Sequence, residues 1–225
     1  MARYKEYGYD IKNGVGIIPE WEMEIKEEAF KGCKELKRID IPQWVTKIGN
    51  DAFRGCDNLK DITLPVMLEE IGEEAFFGCS CLEDFSLPRW LKKIGYCAFC
   101  GCSSLKYIHI PESIKEIAPR AFLFCRGLRS IFIPTSVMYI ECEAFYHCSS
   151  LMSISIPPSV IEIGHGAFEG CSSLRSISIP PSVTGIGHGA FSWCFNLTSV
   201  FIPKGCYVDD GAFAYCPKNL VITRY

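Results

Sequence analysis

The sequence has no excess of either charge: 23 basic residues stand against 26 acidic ones, a net charge of −3. It therefore carries no basic footprint for nucleic acid or for an anionic membrane. Uncharged runs long enough to span a bilayer are missing too, and Met1 to Asp10 contain no apolar core of the length a secretory leader needs. The chain as given reads as cytoplasmic and not inserted in a membrane, with the alternative that a leader or flanking segments lie outside it. Charge is scarce in one half: residues 1–112 hold 34 Asp, Glu, Lys and Arg, and residues 113–225 only 15. Ser, Gly, His and aromatics replace those charges, which lowers the cost of stripping water from that surface under a partner. Apolar residues are plentiful, at 48% of the chain, enough for a continuous core.

Those apolar residues recur with a period of 23. An Ala-Phe pair returns at Phe30, Phe53, Phe76, Phe99, Phe122, Phe145, Phe168 and Phe191, then one residue early at Phe213. Three residues after each stands a Cys, from Cys33 to Cys216, and Leu36 to Leu197 form a third file. Each Leu precedes an apolar-x-apolar-Pro segment such as Ile39-Asp40-Ile41-Pro42, which reads as a short strand ended by a residue that cannot donate to a ladder. The Gly-x-x-Ala-Phe segment closes each coil as a tight helical or 3₁₀ turn. One repeat cannot bury these positions against itself, whereas stacked coils bury each file between identical neighbours. The expectation is an α/β, right-handed solenoid with a parallel β-sheet on one face and short strands or 3₁₀ or helical turns on the other. About nine coils at the ~4.8 Å interstrand spacing give a length on the order of 45 Å. The array forms a single domain: residues 1–24 an N-terminal cap, 25–216 the solenoid, 217–225 a C-terminal cap strand.

The unit Ile-Gly-x-x-Ala-Phe-x-Gly-Cys-x-x-Leu-x-x-Ile-x-Ile-Pro-x-x-Val, nearly unbroken from Ile163 to Val183, resembles the BspA-like class of leucine-rich repeat. The resemblance covers about residues 17 to 222 and implies a non-enzymatic module for protein binding or adhesion, often displayed on microbial cell surfaces or secreted. Protein, or another cell-surface macromolecule, is the partner it implies.

Chemistry has few footholds. Nine of the 14 Cys occupy the repeat position and read as free buried thiols. Cys97-x-x-Cys100-x-Cys102 is half of a zinc site without a second knuckle and reads as an incidental cluster. Threading the repeat puts Cys142, His165, His188 and Asp210 in one column, but a column does not converge on a single reacting atom, so neither a catalytic nor a metal site is expected. Gly185-x-Gly187-x-Gly189 is turn chemistry, and Asn196-Leu197-Thr198 a formal glycosylation sequon read as buried beside its ladder Leu. No cofactor is implied.

Outward strand positions alternate with the buried ones. They begin with the charged Arg38 and Asp40, Asp61 and Thr63, Asp84 and Ser86. They continue as Tyr107 and His109, Ser130 and Phe132, Ser153 and Ser155, Ser176 and Ser178, Ser199 and Phe201. Rigid aromatics between small hydroxyls suit recognition, so Tyr107, His109, Ser130, Phe132, Ser153, Ser155, Ser176, Ser178 and Phe201 are the expected binding residues. The alternative is a structural scaffold that self-associates into a homo-oligomer through its weakly charged C-terminal half.

Overall fold

The computed structural model describes residues 3–225 as a β-solenoid of about 9 turns. Most coils offer two strand segments to their neighbours. The longer one builds a parallel ladder from Val15–Ile17 through Arg38–Asp40 and Asp61–Thr63, with Ile39 in register with Ile62. The ladder resumes at Tyr107–His109 and Ser130–Phe132, and again at Ser176–Ser178, Ser199–Ile202 and Val221–Arg224. Opposite runs a file of two-residue strands, from Glu24–Ile25 to Lys93–Ile94 and from Glu116–Ile117 to Tyr207–Val208. Apolar residues alternate with polar ones in these segments, so Ile39, Ile108, Ile131 and Ile177 face inward and are buried while their neighbours face out.

Inside, like side chains stack on like. Phe30, Phe53, Phe76, Phe99, Phe122, Phe145, Phe168, Phe191 and Phe213 form one continuous file, with ring centroids 5.2 to 5.6 Å apart and planes within 9° of parallel. The file absorbs the single-residue slip near the end: Phe191 donates its N–H to Ala212 O and still stacks on Phe213 at 5.4 Å. The Cys file adds weak hydrogen bonds between coils. The Cys56 Sγ–H donates to Phe30 O at 3.0 Å, and Cys79, Cys102, Cys125, Cys148, Cys171 and Cys194 repeat the bond one coil on at 3.1 to 3.3 Å. Each of these carbonyls already accepts the N–H of its own coil's Cys, as Phe30 O does from Cys33 at 3.0 Å, so the thiol is a small apolar filler that adds a second, weak donor from the next coil.

The closing segment differs from the expected helical or 3₁₀ turn. In the first coil Ala29 N–H bonds Lys26 O and Lys31 N–H bonds Glu28 O, whereas Phe30 N–H and Gly32 N–H bond Ala52 O and Arg54 O of the next coil. Alternate amides thus serve the turn and the stack, a pattern that no helix allows. Arg3–Glu6 is the one α-helix among the described residues, so the α/β class narrows to a mostly β solenoid.

Two backbone demands explain the glycines. A Cβ on Gly49, Gly72 or Gly164 would lie 2.7 Å from a backbone nitrogen of the preceding coil, so coils approach there as only glycine permits. Gly32, Gly55, Gly78, Gly101 and Gly170 hold φ between 69° and 74°, the left-handed region. In the other coils Phe124, His147, Trp193 and Tyr215 take that position at φ 54° to 60°, where a bulky side chain costs about 1–2 kcal/mol.

At the start of the array Tyr4 and Tyr9 stack on Phe30 at 5.7 and 5.6 Å, and Asp10–Lys12 closes a hairpin onto Val15–Ile17. At the far end Val221–Arg224 lies parallel to Ser199–Ile202, and all four of its residues are exposed.

Candidate functional site

The sheet face carries the outward residues. Tyr107, His109, Ser130 and Phe132 sit on paired strands, Ser130 opposite Tyr107 and Phe132 opposite His109, and all four are exposed. His109 and Phe132 stack face to face, centroids 4.5 Å apart and 11° from parallel. With Tyr107, Asp84 and Ser86 they line a shallow depression of about 360 Å³. Ser176 and Ser178 follow on the third stretch of ladder, Ser178 in register with Phe201. Ser153 and Ser155 are exposed on a coil that forms no ladder strand. Phe132, Ser155, Ser178 and Phe201 share one column, so a hydroxyl-floored trough about 14 Å long separates the two phenyl rings at the interstrand spacing.

The first interruption of the ladder has a cause in one side chain. Asp84 Oδ1 accepts the N–H groups of both Lys106 and Tyr107 at 2.9 Å, taking amides that elsewhere meet the backbone of the preceding coil. Lys37 O shows the usual arrangement, accepting from Lys60 and Asp61. The depression therefore opens where backbone pairing gives way to a carboxylate. Upstream the face is charged: Asp40 accepts from Thr63 at 2.7 Å and from Arg38 at 3.1 Å, which holds its carboxyl below the ordinary value, and Asp61 and Asp84 add two further carboxylates. Downstream it is uncharged, with Phe132 and Phe201 50% and 44% exposed.

The remaining candidates are placed as follows. Cys102 lies in the main core, while Cys97 and Cys100 are buried in a satellite cluster with Leu123, under Phe77, Tyr96 and Tyr146, so the wall of the solenoid divides the three. The incidental cluster is thus a packed one. A shared hydrogen bond draws the Cys97 thiol below its ordinary value against the effect of burial, and the same bond, together with burial, pushes that of Cys100 above it. In the His column the register sets Gly185 opposite Tyr207 and hence His188 opposite Asp210, but the carboxylate that reaches the ring is that of Asp209, 2.8 Å from Nδ1. A Gly211 N–H at 3.0 Å and His188 hold the Asp209 carboxyl below its ordinary value. Asn196, expected buried, is exposed, and its amide donates to Ser172 O at 2.7 Å.

Two exposed groups escape a reading of the strands alone. One is the set of left-handed aromatics, in which Trp193 stacks on Tyr215 at 4.5 Å and Phe124 on His147 at 5.6 Å. The other is a ledge of Trp21, Trp44, Met67 and Trp90, 48% to 80% exposed. Both follow the period of 23, Trp21, Trp44, Met67 and Trp90 at one offset and Phe124, His147 and Trp193 at another, and that spacing is the sequence signal for them. No helix among the described residues is long and apolar enough to cross a membrane.

A family model described as the BspA type leucine rich repeat region matches this chain in six copies, over residues 23–151 and 139–223. Among solved structures, the chain is similar to a leucine-rich repeat protein from Bacteroides ovatus (TM-score 0.72, 29% identity), covering 90% of this chain and 58% of that one. It is also similar to the T. pallidum leucine rich repeat protein (TM-score 0.66, 34% identity), over 72% of this chain and 77% of the other. The pneumococcal vaccine antigen PcpA resembles it in fold alone, with a TM-score of 0.58 at 20% identity over 84% of this chain and 63% of that one. This chain thus spans less than two thirds of the length of the Bacteroides protein. No curated protein matches it.

Proposed function

The chain belongs to the BspA-type leucine-rich-repeat family, whose general role is protein–protein interaction or adhesion on a typically non-enzymatic scaffold, and from that premise we propose that it binds a protein partner on its sheet face. The binding surface runs from Tyr107 to Phe201. One observation carries this reading: the outward columns turn from the charged Arg38, Asp40, Asp61 and Asp84 to exposed rings and hydroxyls, Tyr107 at 48% and Phe132 at 50% exposed over a depression of about 360 Å³. Asp84 is the one carboxylate lining the depression, so covering the surface beyond it requires little desolvation of charge, and the stacked His109–Phe132 pair presents contact area already ordered. Ser153, Ser155, Ser176 and Ser178 supply hydroxyls between the rings, and no cofactor or metal enters the reading.

Tyr107→Ala/Phe132→Ala tests it in a crosslinking or pull-down experiment against the parent. Partner recovery is expected to fall by about tenfold, the loss of one hot-spot pair; unchanged recovery counts against this face.

A second reading has its own support. Val221 and Ile222 are 59% and 45% exposed on the outermost strand, an open edge that favours self-association through the C-terminal half. Light scattering across a concentration series separates the two, since a strict monomer removes the scaffold.

A further inference from the structure

Four coils of the charged half carry large apolar side chains at one repeat position, the turn after the sheet strand: Trp21, Trp44, Met67 and Trp90, 80%, 58%, 48% and 53% exposed. The fold does not require them. In the next three coils the position holds Ser113, Ser136 and Ser159, whose hydroxyls donate to Leu91 O, Ile114 O and Val137 O at 2.5, 2.6 and 2.6 Å. A small donor serves this turn, so three indoles left in water there have another use. Trp21, Met23, Trp44 and Met67 wall an apolar cleft of about 340 Å³.

Spacing selects the occupant. Along the ledge the coils are joined by backbone bonds, Thr46 N–H to Met23 O, Glu69 N–H to Thr46 O and Lys92 N–H to Glu69 O, which set a rise of ~4.8 Å per coil. An α-helix repeats a face every ~5.4 Å, so a helix lying along the solenoid axis sets one apolar side chain, at about i, i+4, i+7 and i+11, against each coil. An extended strand repeats its face every ~6.8 Å and loses register by the third coil. Charge fixes direction. Glu20 begins the ledge, and Arg89 ends it with its guanidinium 4.8 Å over the Trp90 ring. Neither joins an ion pair among the described residues, and they suit the positive amino end and negative carboxyl end of a helix.

We propose that the ledge from Trp21 to Trp90 is a docking surface for an amphipathic α-helix of a partner protein, its amino end at Glu20 and its carboxyl end at Arg89. The ledge lies off the sheet face and stands independently of binding there. The probe is a labelled synthetic helical peptide with Leu at i, i+4, i+7 and i+11, compared by fluorescence anisotropy with a peptide of equal composition rearranged to alternate with period two. The helical peptide is expected to bind saturably, one to one, and at least about tenfold more tightly than the alternating one. Trp44→Ser/Met67→Ser, which installs the residue that the repeat itself uses, is expected to weaken binding by at least about tenfold at unchanged Tm. Glu20→Lys/Arg89→Glu should reverse the preference between helical peptides acidic at the amino end and at the carboxyl end. Absent binding of the helical peptide, equal binding of the alternating one, or no effect of the charge reversal overturns the proposal. So does Trp44-dependent binding to phosphatidylcholine/phosphatidylglycerol vesicles without the peptide, or Trp44-dependent dimerisation in light scattering.

Discussion

Coils before residue 113 and coils after it stack the same rings at the same distance, Phe53 on Phe76 and Phe145 on Phe168 both at 5.2 Å, while their outer columns diverge. Ion pairs such as Arg54–Asp51, Lys92–Glu69 and Lys93–Glu70 tie neighbouring parts of the first half together. In the second half such ties dwindle among the described residues to Arg120–Glu143 and His188–Asp209, and Ser and aromatic columns take over. The glycine turn diverges as well, with bulky residues in the left-handed position only beyond residue 112. The lesson is a division of labour within one repeat. Each coil is stabilised by its two neighbours through the buried files, so the exterior can change column by column without touching the fold.

Four measurements probe that division. Phe76→Ala and Phe168→Ala should cost the same, about 3–5 kcal/mol each, because both rings lie between parallel neighbours at full burial; urea unfolding that finds one half far more tolerant would mean that the interiors differ after all. Alkali should likewise strike both halves together. Burial pushes the Cys56 and Cys125 thiols from an ordinary 9.0 up to about 12. A folded-state value raised above the unfolded one gives stability that is complete below pH 9 and lost as pH climbs towards 12. The Tm measured across that range is the check.

The turns should separate the halves. Gly55→Ala is expected to destabilise by about 1 kcal/mol, since φ is 69° and no nearby atom obstructs the new methyl. Tyr215→Gly removes the same strain from an exposed residue and should be neutral or stabilising in chemical denaturation. The smallest effect belongs to the charged face. Asp40→Asn should cost under about 1 kcal/mol, an effect that high salt erases. The depressed Asp40 carboxyl gives a contribution present above its ordinary value of 3.8 and lost as pH falls through the folded-state value.

Phe53, Phe76 and Phe99 were legible as a file from their spacing alone, and so were the exposed positions of Tyr107 and Phe132, because a strand between two like strands can face only in or out. Asp84 was legible only as an outward residue; that its carboxylate displaces a backbone carbonyl depends on side-chain reach across a coil. His188 illustrates the same limit, its column partner being Asp210 and its contact Asp209.

What the sequence determined by itself is the interior: a period of 23 with Phe, Cys and Leu at fixed offsets makes stacking the one arrangement that buries every file. The tertiary structure decided the conformation of the closing turn, where alternate amides bond within the coil and to the next, and the left-handed backbone that Trp193 and Tyr215 share with glycines. It also decided that all four Trp stand exposed, three of them on one ledge. Periodicity fixes which residues are neighbours, whereas backbone angles and the reach of individual side chains are settled only when the neighbours meet.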